Sequence, residues 1–158
     1  MTNAEKKAFL LSYRDAVRAA REAEEEFAQL ELSLLLPRSP AFDSIGGGSG
    51  GGLVDLSAYR AQLQEVAERD VLPKRARKLM VRRAVLTAIE SLPTEREQLV
   101  MRTRYLHLRQ SPAERALNRE GTILPSWDMV AELCSYSRRA VLSIHGVALA
   151  HLEISSVH

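Results

Sequence analysis

The sequence has little of what secreted, membrane-spanning or metal-binding proteins require. Its 158 residues include one cysteine, Cys134, which excludes an internal disulfide, and its Cys and His residues are not paired at zinc-site spacing. There is no run of about 18 uncharged apolar residues, and no charged-then-apolar secretion signal opens the chain. We therefore expect a cytoplasmic protein with no membrane contact, no metal and no cofactor.

Aromatic residues are scarce, at 5% of the chain, whereas Ala, Leu, Glu and Arg are abundant, and this composition favours an all-α fold. The acidic run Glu24–Glu26 is too continuous for a paired-carboxylate site and is typical of a solvated helix face. No nucleophile stands in a recognisable arrangement with a base, so we expect that the protein is not an enzyme. Cys134 is interpreted as a buried thiol, and His145 as a buried or half-exposed histidine with a hydrogen-bond partner.

The formal net charge of +2 conceals a strong segregation along the chain. Residues 1–72 hold 8 basic and 12 acidic groups, residues 73–109 hold 10 and 3, and residues 127–158 hold 2 and 3. A polyanion is therefore expected to bind the middle of the chain first. The alternative is that the cations of this segment form only a solvated helix face.

The first part of the chain predicts one long helix. From Ala4 to Leu35 there is no Pro or Gly, and the apolar residues of this stretch form one continuous stripe, the first seam. Its apolar residues alternate at spacings of four and three: Phe9, Tyr13, Ala16, Ala20, Ala23, Phe27, Leu30 and Leu34. This is the heptad pattern of a helix that packs along a partner helix.

A second seam predicts that partner. The glycine run Gly46–Gly52 has the composition of a flexible connector, and Leu56, Tyr59, Leu63 and Val66 follow it at spacings of three and four. An antiparallel, coiled-coil-like helical hairpin over residues 1–91 is the simplest arrangement that buries both seams. Pairing between two chains would also bury them, so a homo-oligomer stays possible.

Pro73 is expected to kink or restart the second helix, because it lacks a backbone N–H and crowds the preceding turn. Beyond it, Val81, Val85, Ala88 and Leu92 mark the predicted buried side of a helix that runs to about Ser91.

Thr94 and Glu97 form a capping box that opens a further helix, and with it a second domain over residues 92–158. Leu99, Arg102 and Tyr105 or Leu106 recur every three or four residues there and predict its packed side, with Arg102 and Arg104 able to project. Residues 108–126 are predicted to be irregular, with one short helix near Ala113 to Arg119.

The segment from Trp127 to Glu153 has the pattern of a helix-turn-helix. Ser126 caps a first helix, and Ser137 caps a second that begins at Arg138. Between them stands Ser135, where a left-handed backbone would favour glycine. Around Ala131, taken as the point where the helices touch, the inward residues are Val130, Cys134, Tyr136, Val141 and Ile144, and Trp127 is also assigned to the core.

These residues carry a family resemblance. Leu92–Thr94, Arg104–Leu106, Trp127–Leu133 and Tyr136–Arg139 resemble region 4 of sigma-70-type RNA polymerase factors. With Ile144–Gly146 and the glycine-interrupted hairpin, the chain is similar to phage-encoded transcriptional regulators of the ArpU and RinA type. The resemblance implies a DNA-binding regulator of phage gene expression, with late genes as the expected targets, that acts in the bacterial host.

The expected function is therefore sequence-specific binding of double-stranded promoter DNA, with host RNA polymerase as a possible partner. The predicted base-facing residues are Ser137, Arg138, Arg139, Leu142, Ser143 and Gly146. Because the last segment is itself acidic by one charge, the phosphate contacts are assigned to the basic segment before it. They are Lys74, Arg75, Arg77, Lys78, Arg82, Arg83, Arg102 and Arg104.

Two other functions fit the same pattern. The first is the DNA-recognition subunit of a phage packaging machine, which would assemble as a ring. The second is a protein that holds RNA polymerase or another protein through the helical hairpin, with a degenerate helix-turn-helix that no longer binds DNA. Binding to random duplexes, followed by analysis of the preferred sequences, separates these three functions.

Overall fold

The computed structural model describes residues 1–35 and 56–155, and every regular element in those ranges is helical. The α-helices are α1 (Asn3–Leu35), α2 (Leu56–Val66), α3 (Leu72–Glu90), α4 (Glu95–Tyr105), α5 (Pro112–Ala116), α6 (Trp127–Cys134) and α7 (Arg138–His151). The predicted all-α class is confirmed. The predicted connector Gly46–Gly52 lies outside the described residues, and so does the end of the chain after residue 155.

A π-helical turn, Ala67–Val71, separates α2 from α3. The N–H of Leu72 donates to the carbonyl of Ala67, five residues earlier, where an α-helix would use the residue four earlier. Pro73 follows at once and has no N–H with which to continue a regular ladder. The predicted restart of the helix at this proline is therefore found as a widened turn.

The chain forms two compact units. Unit 1 consists of Met1–Ala19 and the described residues from Ala76 onward, and unit 2 consists of residues 20–75. This division differs from the predicted one after residue 91. The reason is that Leu10, Tyr13 and Val17 of α1 belong to the same hydrophobic core as residues of α4 and α7.

The core of unit 1 joins α1, the consecutive helices α3 and α4, and α7. It is built from Leu10, Tyr13, Val17, Val85, Ala88, Ile89, Leu92, Met101, Tyr105, Leu106, Ala148, Leu149 and Leu152. Val85, Ala88 and Leu92 are buried as the spacing of α3 predicts. On α1 the buried stripe includes Leu10 and Val17, which the heptad seam omits, because a helix that faces several partners buries a wider stripe than a two-helix seam.

Helix α4 begins as predicted, but its packed side is different. Thr94 is the N-cap, and its hydroxyl accepts a hydrogen bond from the N–H of Glu97. Leu99, predicted to pack, is 41% exposed, while the buried residues are Glu97, Val100, Met101, Thr103 and Tyr105. A single stripe cannot describe α4 because the helix contacts both α6 and α7.

Unit 2 has a much smaller interior. Its buried apolar residues among those described are Ala20, Ala23 and Val71, and an ion pair of 2.6 Å joins Glu24 of α1 to Arg75 of α3. Of the predicted second seam, Leu56 is exposed, whereas Tyr59, Leu63 and Val66 are half-buried. The helical hairpin stays a prediction. Within the described ranges, no helix has the length and apolar character needed to cross a membrane.

Candidate nucleic-acid interface

A tight turn of three residues, Ser135 to Ser137, joins α6 to α7, and a serine caps the start of each helix. Ser126 caps α6 by accepting a hydrogen bond from the N–H of Met129 at 3.2 Å, and Ser137 caps α7 through the N–H of Ala140 at 3.1 Å. Ser135 adopts the left-handed conformation, with φ of 58°. This is the backbone conformation for which glycine would be preferred, and its position agrees with the sequence prediction.

The inward sides of α6 and α7 meet in a second, smaller hydrophobic cluster. It contains Val100, Val130, Ala131, Cys134 and Val141, with Trp127, Tyr136 and Ile144 packed at its edge. The predicted inward residues are thus buried or half-buried. Cys134 is a buried thiol whose sulfur lies 3.6 Å from the Thr103 hydroxyl oxygen, so α4 supplies its polar partner.

His145 connects α7 to α4 and α6. Its Nε2 lies 2.8 Å from the Tyr105 hydroxyl oxygen, and the Trp127 ring meets the imidazole edge-on at a centroid distance of 4.6 Å. Burial lowers the pKa of His145 to about 4, and the positive charges of Lys7 and Arg104 act in the same direction. The imidazole is therefore neutral at physiological pH and serves as a packed hydrogen-bonding group.

The C-terminal end of α7 is held by charged groups. The Lys6 ammonium donates to the carbonyl of Leu149 at 2.7 Å, and His151 Nδ1 lies 2.9 Å from a carboxylate oxygen of the buried Glu97. The Lys6 ammonium places positive charge where the helix dipole is negative, and the contact between His151 and Glu97 links the last turn of α7 to α4. Since Ser137 caps the other end, α7 is anchored at both termini as well as along its inward side.

The opposite side of α7 is open to solvent. Its exposed residues include all of those predicted to face bases: Ser137, Arg138, Arg139, Leu142, Ser143 and Gly146. Arg138 makes an ion pair of 3.6 Å with Asp128, but both side chains are well exposed, so the pair is weak. A Cβ placed on Gly146 would meet nothing within 4 Å. This side of the helix is accessible and is not used to hold unit 1 together.

The predicted phosphate-binding cations fall into different environments. Lys74 and Arg75 belong to unit 2, where Arg75 pairs with Glu24. In unit 1, Lys78 pairs with Glu120 at 3.0 Å, while Arg82 is exposed and interacts with Tyr13.

Arg77 and Arg83, by contrast, are exposed and make no ion pair with another described residue. Among the predicted cations of α3 that belong to unit 1, they are the two for which the described residues provide neither an ion pair nor a hydrogen bond.

Arg102 and Arg104 are half-buried on α4. The Arg104 guanidinium stacks over the Trp127 ring at 4.4 Å from its centroid and donates to the carbonyl of Pro125. Burial lowers the pKa of Arg104. The geometry gives Arg104 a packing role at the start of α6, and the phosphate role assigned to it from the sequence stays a prediction.

Arg96 is a cation that the site prediction omitted. It lies in the first turn of α4 and lines a groove of about 180 Å³ together with Ser143 and Val147 of α7. Nothing in the local sequence connects Arg96 with residues almost 50 positions later. Its membership of the basic segment was the only available signal.

The charge of unit 1 has the sign that a polyanion requires. Among the described residues, unit 1 holds 16 basic and 10 acidic side chains, a net charge of +6, while unit 2 holds 5 and 8, a net charge of −3. The accessible face of α7 therefore belongs to a basic unit.

In the part of the chain that the structure describes, no group of three or more His, Cys, Asp or Glu residues is placed to hold a metal ion.

Comparison of the chain with protein families, with curated proteins and with solved structures finds no match, so the geometry and the charges described above are the basis for a functional proposal.

Proposed function

We infer that this protein is a sequence-specific DNA-binding regulator of transcription, in which α6 and α7 form a helix-turn-helix and α7 enters the major groove of duplex DNA. The observation that carries this proposal is the asymmetry of α7. One side is anchored by Val141, His145 and Leu149, and the other presents Arg138 and Arg139 to solvent. A recognition helix needs a rigid support and a free outer face.

The position of the arginines supports this assignment. Arg138 and Arg139 are the first two residues of α7, and the N-terminal residues of a recognition helix are those that reach base edges. A guanidinium forms paired hydrogen bonds with O6 and N7 of guanine. The weak ion pair between Arg138 and Asp128 would be exchanged for such contacts at little energetic cost.

Phosphate binding is assigned to cations outside α7. The segment of residues 127–158 has a net charge of −1, so it cannot supply the electrostatic part of the affinity. Arg96 is best situated because it shares a groove with Ser143, and Arg77 and Arg83 add exposed charge on α3. Base reading by α7 is thereby separated from backbone binding by α3 and α4.

The resemblance to sigma region 4 and to ArpU- and RinA-type regulators supports promoter DNA as the target, phage late genes as the regulated set, and host RNA polymerase as a partner. The site of action would be the cytoplasm of the bacterial host. A palindromic target would indicate that two copies of the chain bind side by side.

The direct test is selection of bound sequences from a random duplex library by the full chain. We expect one preferred motif, bound at least ~10³-fold more tightly than unrelated duplex at physiological salt. The double variant Arg138→Ala/Arg139→Ala should lose that preference while keeping its helical content. Binding of all duplexes with equal affinity would contradict the proposal.

The salt dependence of binding tests the assignment of phosphate contacts. Each lost contact should reduce the slope of log affinity against log salt by ~0.9, so Arg77→Gln/Arg83→Gln should reduce it by about 1 to 2, and Arg96→Gln by about 1. Arg60→Gln/Arg69→Gln in the acidic unit 2 is the matched control and should leave the slope unchanged. Equal slopes for all variants would remove these three residues from the interface.

A protein-binding role is the second candidate, because Leu142 and Val147 of α7 are 42% and 46% exposed. Exposed apolar side chains on one helix also suit a protein partner. Capture of RNA polymerase by the full chain, combined with absence of duplex binding at low salt, would select this function over DNA recognition.

A further inference from the structure

The exposed side of α7 contains an apolar residue at the position where a recognition helix reads bases. Leu142 is the fifth residue of the helix and is 42% exposed, and it lies one turn after Arg138 and Arg139. Leucine at this place contributes nothing to either hydrophobic cluster of unit 1. Its side chain is therefore available for an external apolar group.

The neighbouring residues restrict what that group can be. Ser143 is small, Gly146 has no side chain, and nothing lies within 4 Å of a Cβ built on Gly146. The side chains next to Leu142 therefore do not project far from the helix. A broad ligand such as duplex DNA can approach this surface closely. The two arginines of the preceding turn and the net charge of +6 on unit 1 favour a polyanion as that ligand over an apolar protein surface.

The major groove of DNA offers one apolar group, the 5-methyl of thymine. We propose that Leu142 reads the 5-methyl group of a thymine next to the guanine bound by Arg138 or Arg139. This proposal rests on the proposed function and specifies the class of base that α7 recognises. An arginine that binds guanine and a leucine that contacts a thymine methyl group, both on one face of α7, predict a target site that contains G and T close together.

The helix dimensions set the spacing. Leu142 lies about 4.5 to 6 Å along the axis from the two arginines, at about 1.5 Å per residue. One base step is about 3.4 Å, so the thymine is expected within about two base pairs of the guanine.

Deoxyuridine provides the test, because it lacks only the methyl group. Each thymine of the selected duplex is replaced singly by deoxyuridine, and the affinity of the full chain is measured by fluorescence anisotropy. We expect about fourfold weaker binding at one position, the equivalent of ~0.8 kcal/mol for one buried carbon. Leu142→Ala should bind the thymine duplex about as weakly as the wild type binds the deoxyuridine duplex. The variant should show no further loss of affinity when deoxyuridine stands at that position.

Leu133→Ala is the matched control, since Leu133 is 59% exposed on α6 and is not among the outward residues of α7. It should keep the full sensitivity to the methyl group. Thermal melting of both variants should match that of the wild type, which excludes unfolding as the cause.

The outcomes separate this inference from the proposed function. Specific duplex binding in which no thymine methyl is coupled to Leu142 overturns the inference and leaves the proposed function intact. Absence of any preferred duplex overturns both. Loss of RNA polymerase capture by Leu142→Ala, with unchanged methyl sensitivity, assigns the residue to a protein partner and also overturns the inference.

Discussion

The two sides of α7 differ in almost every physical property, although they belong to one helix of 14 residues. On the inner side, Val141 and Ala148 are completely buried, and His145 is neutral and hydrogen-bonded. The outer side carries arginine, serine and glycine, together with the exposed Leu142. The inner side therefore stabilises unit 1, and the outer side is free to determine binding. Substitutions on the two sides should separate stability from affinity.

The largest effect is expected from Leu149→Ala on the inner side. Leu149 is buried in the main core, and its truncation should lower the free energy of unfolding by about 2 to 5 kcal/mol through lost burial and the cavity left behind. Leu142→Ala, the same change on the outer side, should alter it by no more than about 0.5 kcal/mol. Urea unfolding of both variants measures this difference, and similar costs would contradict the separation of the two sides.

The second test uses the pH dependence of the inner side. Burial lowers the pKa of His145 to about 4, below the ~6.5 of an exposed histidine, so the unfolded chain is protonated first as the pH falls. The stability contributed by the neutral imidazole is complete above about pH 6.5 and is lost between about pH 6.5 and 4, by about 3 kcal/mol.

His145→Gln removes this titration, and its unfolding free energy should change less over that range than that of the wild type. Because every other titratable group is the same in both proteins, the difference between the two curves isolates His145. Parallel curves would show that His145 is already accessible to protons in the folded state.

The third test probes the outer side by affinity. If Arg139 contacts a guanine, Arg139→Ala should cost about 1 to 3 kcal/mol of binding to the selected duplex and should relax specificity at one position. Arg115→Ala, an equal loss of charge on α5, should weaken all duplexes slightly and equally. Both variants should unfold at the wild-type temperature. A uniform loss across sequences for Arg139→Ala would make it a phosphate contact.

The smallest and most diagnostic effect is expected from Gly146→Ala. A Cβ at this position meets no atom, and alanine favours helix by up to about 1 kcal/mol, so the variant should be more stable than the wild type. Its affinity for the selected duplex should nevertheless fall, because the added methyl group would lie between α7 and the DNA in the proposed complex. An increase in both stability and affinity would show that DNA does not approach Gly146.

Gly121→Ala is the informative contrast to Gly146→Ala. A Cβ on Gly121 would lie 2.5 Å from the backbone carbon of Arg109, at the isolated bridge between Arg109 and Ile123. Alanine there should destabilise unit 1 by about 1 to 3 kcal/mol. One glycine is required by the fold, whereas the other is required by no contact within the protein.

The limits of several helices follow from local sequence signals. Ser126, Ser137 and Thr94 each accept a hydrogen bond from a backbone N–H of the following turn, which is a short-range interaction that any context permits. The left-handed residue at Ser135 was also located by the pattern of the turn. The exposed face of α7 could be predicted because one apolar stripe is enough to orient a helix that packs on one side.

The sequence by itself therefore determined the all-α class, the caps, and which side of α7 is free. Only the tertiary structure assigned the first 19 residues to unit 1, turned Leu99 outward, placed Arg104 against Trp127, and brought Arg96 beside Ser143. Local hydrogen bonds and helical periodicity act over a few residues and can be read directly. The choice among several apolar faces, and the partner of a long cationic side chain, depend on segments that meet only after the whole chain has packed.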